Sequence, residues 1–151
     1  MEIEVLKESG LIEDARIIRQ HMVAFNDQQS GGTDYRELQV ILRDENGKVR
    51  GGLLGWTVWS WFHIDSLWVD EPIRGQDWGT SLIRAGEQEA RTRDCEISDV
   101  DTFSFQAKAF YEKAGYLCYG TLSGIQKGEI ERYYFRKSLR EDGAASQTQI
   151  E

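Results

Sequence analysis

The pattern of apolar and polar positions along the chain predicts alternating strands and helices. Apolar runs and period-two alternation predict seven strands, over Ile3–Leu6, Glu37–Arg43, Val49–Ser60, Ile64–Val69, Glu96–Val100, Tyr116–Leu122 and Ile130–Lys137. Helical spacing of apolar residues predicts three helices, over Gly10–Asn26, from near Trp78 onward, and over about Ser104–Ala114. Asp44–Gly47 is a hairpin signal, and Ser60–Phe62 must contain a second reversal.

The stretch from Ile64 to Ala90 is the centre of this pattern. A strand, Ile64–Val69, is followed by the loop Asp70–Asp77 and then by a helix. The apolar or small residues of that helix lie on one stripe, made of Gly79, Leu82, Ile83, Gly86 and Ala90. Glycines free the backbone where the helix begins, and the unpaired N–H groups of a helix N-terminus can hold a phosphate. A plain strand–turn–helix junction fits this stretch equally well.

Length and charge limit the organisation and the partners of the chain. Its 151 residues suffice for one domain, which we expect over residues 1–139, with Arg140–Glu151 as a disordered polar tail. The net charge of −8 argues against a general nucleic-acid binder. This charge suits a cationic substrate, although it also fits a role in solubility alone.

The few cysteines and histidines argue against a metal site or a disulfide framework. Cys95 and Cys118 are not in a CxxC pair, and His21 and His63 are the only histidines. Reduced thiols favour a cytoplasmic protein. The first ten residues lack the features of a signal peptide, and the apolar stretch 51–69 is interrupted by polar residues and glycines, so no membrane segment is expected.

Two motifs occur in the order expected of one enzyme family. Arg74–Gly79 reads RGQDWG, and Ala107–Tyr116 reads AKAFYEKAGY. They resemble motif A (Arg/Gln-x-x-Gly-x-Gly/Ala) and motif B (Ala-x-x-Phe-Tyr-x-x-x-Gly-Tyr/Phe) of the GNAT superfamily of acyl-CoA-dependent N-acyltransferases. The resemblance covers roughly residues 3–139 and implies an α/β fold, with a mixed, mostly antiparallel sheet of six or seven strands and helices on both faces. Asp77 departs from the pattern, which has glycine at that position.

The resemblance also implies a binding surface for acetyl-CoA. The amides from Gln76 to Thr80 would hold the pyrophosphate, and backbone donors of the central strand would hold the pantetheine arm and the thioester oxygen. The residues assigned to this surface are Leu67, Trp68, Val69, Arg74, Gly75, Gln76, Asp77, Trp78, Gly79, Thr80, Ser104 and Ala107. We expect Asp77 to cap the helix, with its carboxylate bonded to an N–H group at residue 79 or 80 and directed away from the ligand.

Three side chains are candidates for proton transfer. Tyr111 falls at the position of the family's catalytic tyrosine and would protonate the leaving thiolate, and the alternative is a tyrosine of the core. His63 and Asp65 share one face of the predicted strand. A partly buried Asp65 would act as a base or anchor a cationic amine, and His63 has a pKa suited to a base. Both residues also fit an ordinary strand surface.

The tryptophans bear on the acceptor and on assembly. Trp56, Trp59 and Trp61 favour a core or a subunit interface, and the alternative is a cation–π pocket for the acceptor. The first helix and the segment Asp27–Asp34 would, by the resemblance, form the acceptor side of the cleft. Members of the family often dimerise, so a homodimer is expected.

The sequence therefore predicts a cytoplasmic N-acetyltransferase that moves an acetyl group from acetyl-CoA to a primary amine of a small molecule or peptide, in a ternary complex and without a metal. A polyamine, an aminoglycoside-like antibiotic and a basic peptide all suit an acidic chain. One alternative is a CoA-binding regulatory module with little catalysis, which the unusual Asp77 and Ser104 favour. The other is a thiol enzyme that uses Cys95 or Cys118.

Overall fold

The computed structural model describes Ile3, Val5 and residues 12–140. The predicted strand Ile3–Leu6 lies largely outside these residues, and the predicted tail lies outside them after Arg140. Contacts within the chain divide it into two units, residues 1–34 and 35–151, which are described separately. The prediction of one domain over residues 1–139 stays a prediction.

The first unit contains helix α1, Ile12–Ser30. This helix runs four residues past the predicted end at Asn26, because Asp27–Ser30 contains no residue that breaks a helix. It ends at Gly31, which adopts a left-handed φ of 78° and donates its N–H to the Asp27 carbonyl at 2.9 Å. The predicted loop Asp27–Asp34 is therefore shorter than expected.

The second unit is a six-stranded sheet with two helices. Its strands are β1 (Arg36–Arg43), β2 (Val49–Val58), β3 (Trp61–Val69), β4 (Ile97–Phe103), β5 (Leu117–Ile125) and β6 (Ile130–Ser138), in the order β1-β2-β3-β4-β6-β5. Its helices are α2 (Trp78–Thr92) and α3 (Lys108–Lys113). Every neighbouring pair of strands is antiparallel except β3 and β4. This confirms the predicted mixed, mostly antiparallel α/β fold.

Two boundaries differ from the prediction for local reasons. The reversal after β2 needs only Trp59 and Ser60, so β3 begins at Trp61 and not at Ile64. Helix α3 begins at Lys108 and not at Ser104. The Gln106 side chain accepts the N–H of Phe103 at 2.9 Å, which holds the preceding residues in a turn.

The core lies on one face of the sheet, under both helices of this unit. The predicted stripe of α2 is buried, and Gly86 lets the helix approach the side chains of Leu53 and Phe62 closely. On α3, the ring of Tyr111 lies 6.0 Å from that of Phe135. The strand register places Phe62 and Phe135 on the same face, so α2 and α3 share it. That a helix also covers the opposite face stays a prediction.

A buried polar network ties α2 to the sheet. The Glu87 carboxylate is almost fully buried and accepts hydrogen bonds from Lys137 Nζ at 2.8 and 2.9 Å. It also accepts one from the Tyr116 hydroxyl at 3.1 Å, and that hydroxyl bonds Ser98 Oγ at 2.9 Å. A buried charge with this many partners fixes position and orientation more than it adds net stability. The network therefore sets how α2 sits over β4 and β6.

The parallel pair β3–β4 is short, and the two strands diverge beyond it. Their register runs from Trp61 opposite Ile97 to Ile64 opposite Val100 and then ends. Each strand continues along its antiparallel neighbour, β3 on β2 as far as Val69 and β4 on β6 as far as Phe103. A bulge bends β3 at the point of divergence, since Gly55 pairs with Ile64 and Leu54 with Ser66, which leaves Asp65 as the extra residue.

Gly55 is required by this bulge, and we predict that Gly55→Ala destabilises the protein. A Cβ at Gly55 would lie 2.2 Å from the His63 carbonyl oxygen, a backbone atom that cannot move freely. Overpacking of this kind costs about 1–3 kcal/mol in the free energy of unfolding. Urea denaturation followed by circular dichroism measures the loss.

Gly120→Ala is the matched control for this substitution. Gly120 also lies in a strand, but its Cβ would meet only the Tyr134 side chain, at an ordinary distance of 3.8 Å. We expect a change below about 0.5 kcal/mol there. Equal stability losses in the two variants would contradict the bulge argument.

Candidate active site

A cavity of about 640 Å³ opens where β3 and β4 diverge. One wall is the free edge of β3 from Asp65 to Val69, which includes the predicted Leu67, Trp68 and Val69. The other wall comes from β4 and from the segment that leads into α3, with Tyr111 between them. Because β4 no longer pairs with β3 here, the β3 peptide groups that face it are available to a ligand. At the end of this edge, Arg74 Nε donates to the Val69 carbonyl at 2.9 Å.

The loop between β3 and α2 presents a row of unpaired backbone donors. Within the described part of the chain, the six N–H groups from Gly75 to Thr80 donate to no other residue, and the next, that of Ser81, donates to the Asp77 carbonyl at 3.0 Å. Gly75 and Asp77 adopt left-handed φ values of 76° and 60°. Successive amides in such a conformation, at a helix N-terminus, form an anion-binding concavity.

A second cavity, of about 320 Å³, lies against this loop. Its lining includes the predicted residues Leu67, Val69, Arg74, Gly75, Asp77, Trp78, Gly79, Thr80 and Ala107. Ile73 and, from α3, Phe110 and Lys113 complete the lining, and the sequence analysis assigned none of the three to the binding surface. Gln76 is not part of it. The loop and the divergent strands together place most of the predicted binding residues along one surface.

Asp77 does not cap α2 with its side chain, contrary to the prediction. It stands at the N-cap position, but its carboxylate makes no capping hydrogen bond. Its backbone is left-handed, which is the conformation that glycine supplies at this position of the motif. Aspartate tolerates that region better than most residues do. Asp77 therefore adopts the backbone conformation that glycine would supply, and the residue lines the second cavity.

Gly79 is needed for the contact between α2 and α3. A Cβ at this position would lie 3.2 Å from two atoms of the Phe110 ring. The absence of a side chain lets the start of α2 rest on that ring. The phosphate-type loop is thus set directly against the helix that carries Tyr111.

Ser104 is turned toward β6. Its N–H donates to the Glu131 carbonyl at 2.9 Å, and its hydroxyl accepts the Glu131 N–H at 3.3 Å. Ser104 lines neither cavity, whereas Ala107 lines both. Gln106, which the sequence reasoning overlooked, also lines the larger one.

The position of Tyr111 fits both interpretations that the sequence left open. Its side chain is buried in the core, edge-on to the ring of Phe110, and it also lines the larger cavity. Burial, together with the negative charge of Asp101, raises the pKa of Tyr111 to about 12. Its hydroxyl bonds no residue that the structure describes. The phenol therefore stays protonated at neutral pH, and its raised pKa makes it a weaker acid than an exposed tyrosine.

His63 lies on the other face of the sheet, beside a carboxylate from β4. Asp99 Oδ1 is 2.8 Å from His63 Nδ1 and 2.6 Å from Trp61 Nε1, which donates to it. The hydrogen bond to Asp99 raises the pKa of His63, although partial burial opposes the shift. Asp99 was not predicted, because its contact depends on the register of two strands that are distant in the sequence. The alternation Ile97-Ser98-Asp99-Val100-Asp101 was the available signal.

Asp65 is exposed, so the expected partial burial is wrong. As the extra residue of the bulge it leaves the regular alternation of β3, and its carboxylate accepts only the Ser66 hydroxyl, at 2.8 Å, among the residues described. It still lines the larger cavity.

Two of the three tryptophans gather around His63. The Trp56 ring lies 4.9 Å from the imidazole and 4.6 Å from the Trp61 ring, which it meets edge-on. Neither belongs to the core under α2 and α3, so the core alternative is wrong for them. Trp59 lies in the turn between β2 and β3.

The cysteines do not form a nucleophilic site. Cys95 is buried, and burial raises the pKa of its thiol, which disfavours a thiolate. Cys118 is exposed on β5. No cluster of three or more His, Cys, Asp or Glu side chains within the described ranges is placed to hold a metal ion.

We predict that Asp99→Asn lowers the pKa of His63, because it removes the negative charge that stabilises the imidazolium. In the native protein this raised pKa contributes stability that is present below pH ~6.5 and is lost as the pH rises through the folded-state pKa. The difference in the free energy of unfolding between the native protein and the variant should therefore be largest at low pH and should decrease as the pH rises through the folded-state pKa of His63. NMR titration of the His63 ring protons measures the pKa, and Glu129→Gln, an exposed charge removal, is the control. An unchanged titration in Asp99→Asn would contradict this account.

Comparisons with known proteins agree with this geometry. The model of the acetyltransferase (GNAT) family matches residues 12–116. An acetyltransferase of Agrobacterium fabrum is 34% identical over 125 residues, which is 83% of this chain and 91% of that protein. The blasticidin-S acetyltransferase of Streptomyces morookaense is 45% identical over 73 residues, 48% of this chain and 54% of that protein.

A solved structure shows the same architecture over nearly the whole chain. The crystal structure of an Agrobacterium tumefaciens protein described as an acetyltransferase is similar with a TM-score of 0.84 and 31% sequence identity, covering 91% of this chain and 99% of that chain. The family match includes both the loop at the start of α2 and the helix of Tyr111. This chain belongs to the GNAT family of acetyltransferases, and it is an acyltransferase enzyme.

Proposed function

We propose that this enzyme transfers an acetyl group from acetyl-CoA to a primary amine of a small molecule or a basic peptide, by direct transfer in a ternary complex. The observation that carries the proposal is the divergence of β3 from β4 after Ile64 and Val100. It creates a cavity between a free strand edge and Tyr111, and this cavity leads to the loop of unpaired amides. The strand edge, the cavity and the amide loop thus follow one another in the order that suits a long ligand with a thioester at one end and phosphates further along.

The loop at the start of α2 would hold the pyrophosphate. Its N–H groups from Gly75 to Thr80 and the positive end of the helix dipole favour an anion. Lys113 adds a positive charge to the same cavity. The Asp77 carboxylate opposes this field, so the loop binds through its backbone in spite of one unfavourable side chain.

The free edge of β3 would hold the thioester carbonyl. As the acceptor nitrogen attacks the carbonyl carbon, negative charge develops on the oxygen, and a backbone N–H at Leu67 or Val69 is placed to stabilise it. A preorganised donor of this kind is worth about 3 kcal/mol of barrier. When the carbon–sulfur bond breaks, Tyr111 gives its proton to the departing thiolate. The acceptor amine loses its proton to His63 or Asp65.

The acceptor is a small cationic molecule in this proposal, and an antibiotic is the first candidate. The similarity to the blasticidin-S acetyltransferase covers 73 residues. The net charge of −8 favours the approach of a cation. The aromatic and acidic side chains on the face of His63 suit a cation as well.

We further propose a cytoplasmic homodimer without a nucleic-acid partner. Two reduced cysteines suit that compartment, and the acidic charge disfavours nucleic acid. No helix within the described residues has the length and apolar character needed to span a membrane.

Thr80→Asp is expected to weaken CoA binding at least about tenfold while leaving the fold intact. A carboxylate in the first turn repels phosphates, whereas the helix dipole stabilises it by about 0.3–1 kcal/mol. Gln88→Glu adds the same charge at an exposed site further along α2 and should bind CoA as the native protein does. Isothermal titration with CoA measures both. Native-like affinity in Thr80→Asp would place the phosphates elsewhere.

Tyr111→Phe is expected to lower kcat about 100-fold and to leave CoA binding unchanged, because it removes only the proton donor. The assay follows free thiol released from acetyl-CoA with blasticidin S, spermidine or a lysine peptide as acceptor. Tyr119→Phe, which removes an exposed hydroxyl from β5, should keep native activity. Full activity of Tyr111→Phe would mean that another group protonates the leaving thiolate.

A further inference from the structure

We propose that His63, and not Asp65, takes the proton of the acceptor amine, and that Asp99 and Trp61 are positioning residues that hold its imidazole for this step. The inference rests on the proposed function and adds two residues to its site. It is carried by the contacts around His63 on the face of the sheet opposite the core.

The hydrogen bond to Asp99 fixes the tautomer of His63. A carboxylate only accepts, so the 2.8 Å contact requires that His63 Nδ1 carries the proton. In the neutral imidazole, Nε2 is then the unprotonated nitrogen. Nε2 bonds no other residue in the part of the chain that the structure describes. A ring held in this tautomer presents a lone pair that can accept a proton.

The indoles on either side fix the orientation of the ring. Trp56 lies against the imidazole at 4.9 Å with a tilt of 33°, and Trp61 meets it at 5.9 Å nearly edge-on. Trp61 also donates Nε1–H to the same Asp99 oxygen at 2.6 Å. Asp99 is thereby held between two donors, and it cannot rotate without losing one of them. The imidazole therefore has one supported orientation.

The position along β3 places His63 beside the point of divergence. His63 pairs with Asp99 in the parallel register, one residue before the final pair, Ile64 and Val100. The next residues along the two strands, Asp65 and Asp101, already line the larger cavity. His63 itself lies outside the cavity lining, and Leu67, whose N–H would hold the thioester oxygen, is four residues away, about 13 Å along the strand. A chain of waters would therefore carry the proton from an amine at the thioester to His63.

Asp65 is less suited to the same step. It is exposed, and its carboxylate is fixed only by the neighbouring Ser66 hydroxyl. A solvated carboxylate is a weak base toward an ammonium group.

The charged groups that face His63 set the direction of the pH dependence. From β3 and β4 these are Asp65, Asp99 and Asp101, all of which raise the pKa of His63. On β6, Arg136 pairs with Asp99 and Tyr134 pairs with Asp101 in the strand register. Arg132 of the same strand donates its Nε–H to Asp101 Oδ1 at 2.6 Å. Tyr119 of β5 packs on Tyr134. Among the residues that the structure describes, Asp99 is the one carboxylate in direct contact with the imidazole.

The step itself is a single proton transfer with a balanced outcome. The ammonium form of the acceptor gives one proton to His63 Nε2, and the neutral amine then forms the carbon–nitrogen bond as the carbon–sulfur bond breaks. The nitrogen loses its second proton as the amide forms, and that proton restores Tyr111 after Tyr111 has protonated the thiolate. The imidazolium returns its proton to solvent after product leaves. The base must be neutral at the start, so the rate rises as the pH passes through the pKa of His63.

The test is the pH profile of kcat/KM for Asp99→Asn, Trp61→Phe and His63→Gln, with Glu129→Gln as an exposed control. The assay uses acetyl-CoA with blasticidin S and, in parallel, acetyl-CoA alone, whose slow hydrolysis needs no acceptor. His63→Gln should lower kcat about 100-fold with unchanged CoA binding. Asp99→Asn should lower kcat at least about tenfold and move the acid limb to lower pH. Trp61→Phe should move that limb to higher pH, because Asp99 loses one donor and interacts more strongly with the imidazolium.

The outcomes separate this inference from the proposed function. An unmoved acid limb in Asp99→Asn, or a limb that shifts in Asp65→Asn instead, overturns the inference while CoA binding stays intact. A native protein that binds no CoA overturns the proposed function and the inference with it. Nitrogen-detected NMR of the native protein gives a test that needs no variant to fold, since a proton on Nε2 of the neutral ring would contradict the assigned tautomer.

Discussion

The four-residue parallel contact between β3 and β4 is the constraint on which the rest of this structure depends. A longer ladder would pair every peptide group of the two strands and leave no room for a ligand. The contact stays short because each strand has a stronger attachment on its other side, to β2 or to β6. The bulge at Asp65 then bends β3 away. The opening in the middle of the sheet is thus maintained by the hydrogen bonds that join β3 to β2 and β4 to β6.

The two faces of the sheet carry different kinds of side chain. One face is apolar and lies under α2 and α3, and Glu87 and Lys137 fix α2 at one place on it. The other face carries the indoles, His63 and the carboxylates of β4. Tyr111 lines the cavity between β3 and β4 from the core side, whereas His63 lies on the other face, outside the lining of that cavity. In the proposed mechanism, the proton donor Tyr111 and the proton acceptor His63 thus lie on opposite faces of the sheet.

The sequence was sufficient for the fold and for most of the residues that line the two cavities, because both follow from local patterns. The stripe on α2, the glycines at its start and the motif around Tyr111 are each readable within about fifteen residues. The site on the opposite face was not readable in this way. Asp99 meets His63 only through the register of a parallel pair whose strands are separated by α2, and Trp61 joins them only because β3 starts three residues early. Asp77 was misjudged because a capping role and a left-handed backbone are both typical of aspartate at a helix start.

The contact of Gly79 with the Phe110 ring has a consequence for how this enzyme can evolve. Phe110 precedes Tyr111 on a helix of only six residues, so the two residues cannot be repositioned separately. A larger side chain at position 79 would displace Phe110 and would carry Tyr111 with it. Substitutions in the loop and substitutions in α3 are therefore selected jointly. The side chains on the far face of the sheet take no part in this contact, so they can change without disturbing it.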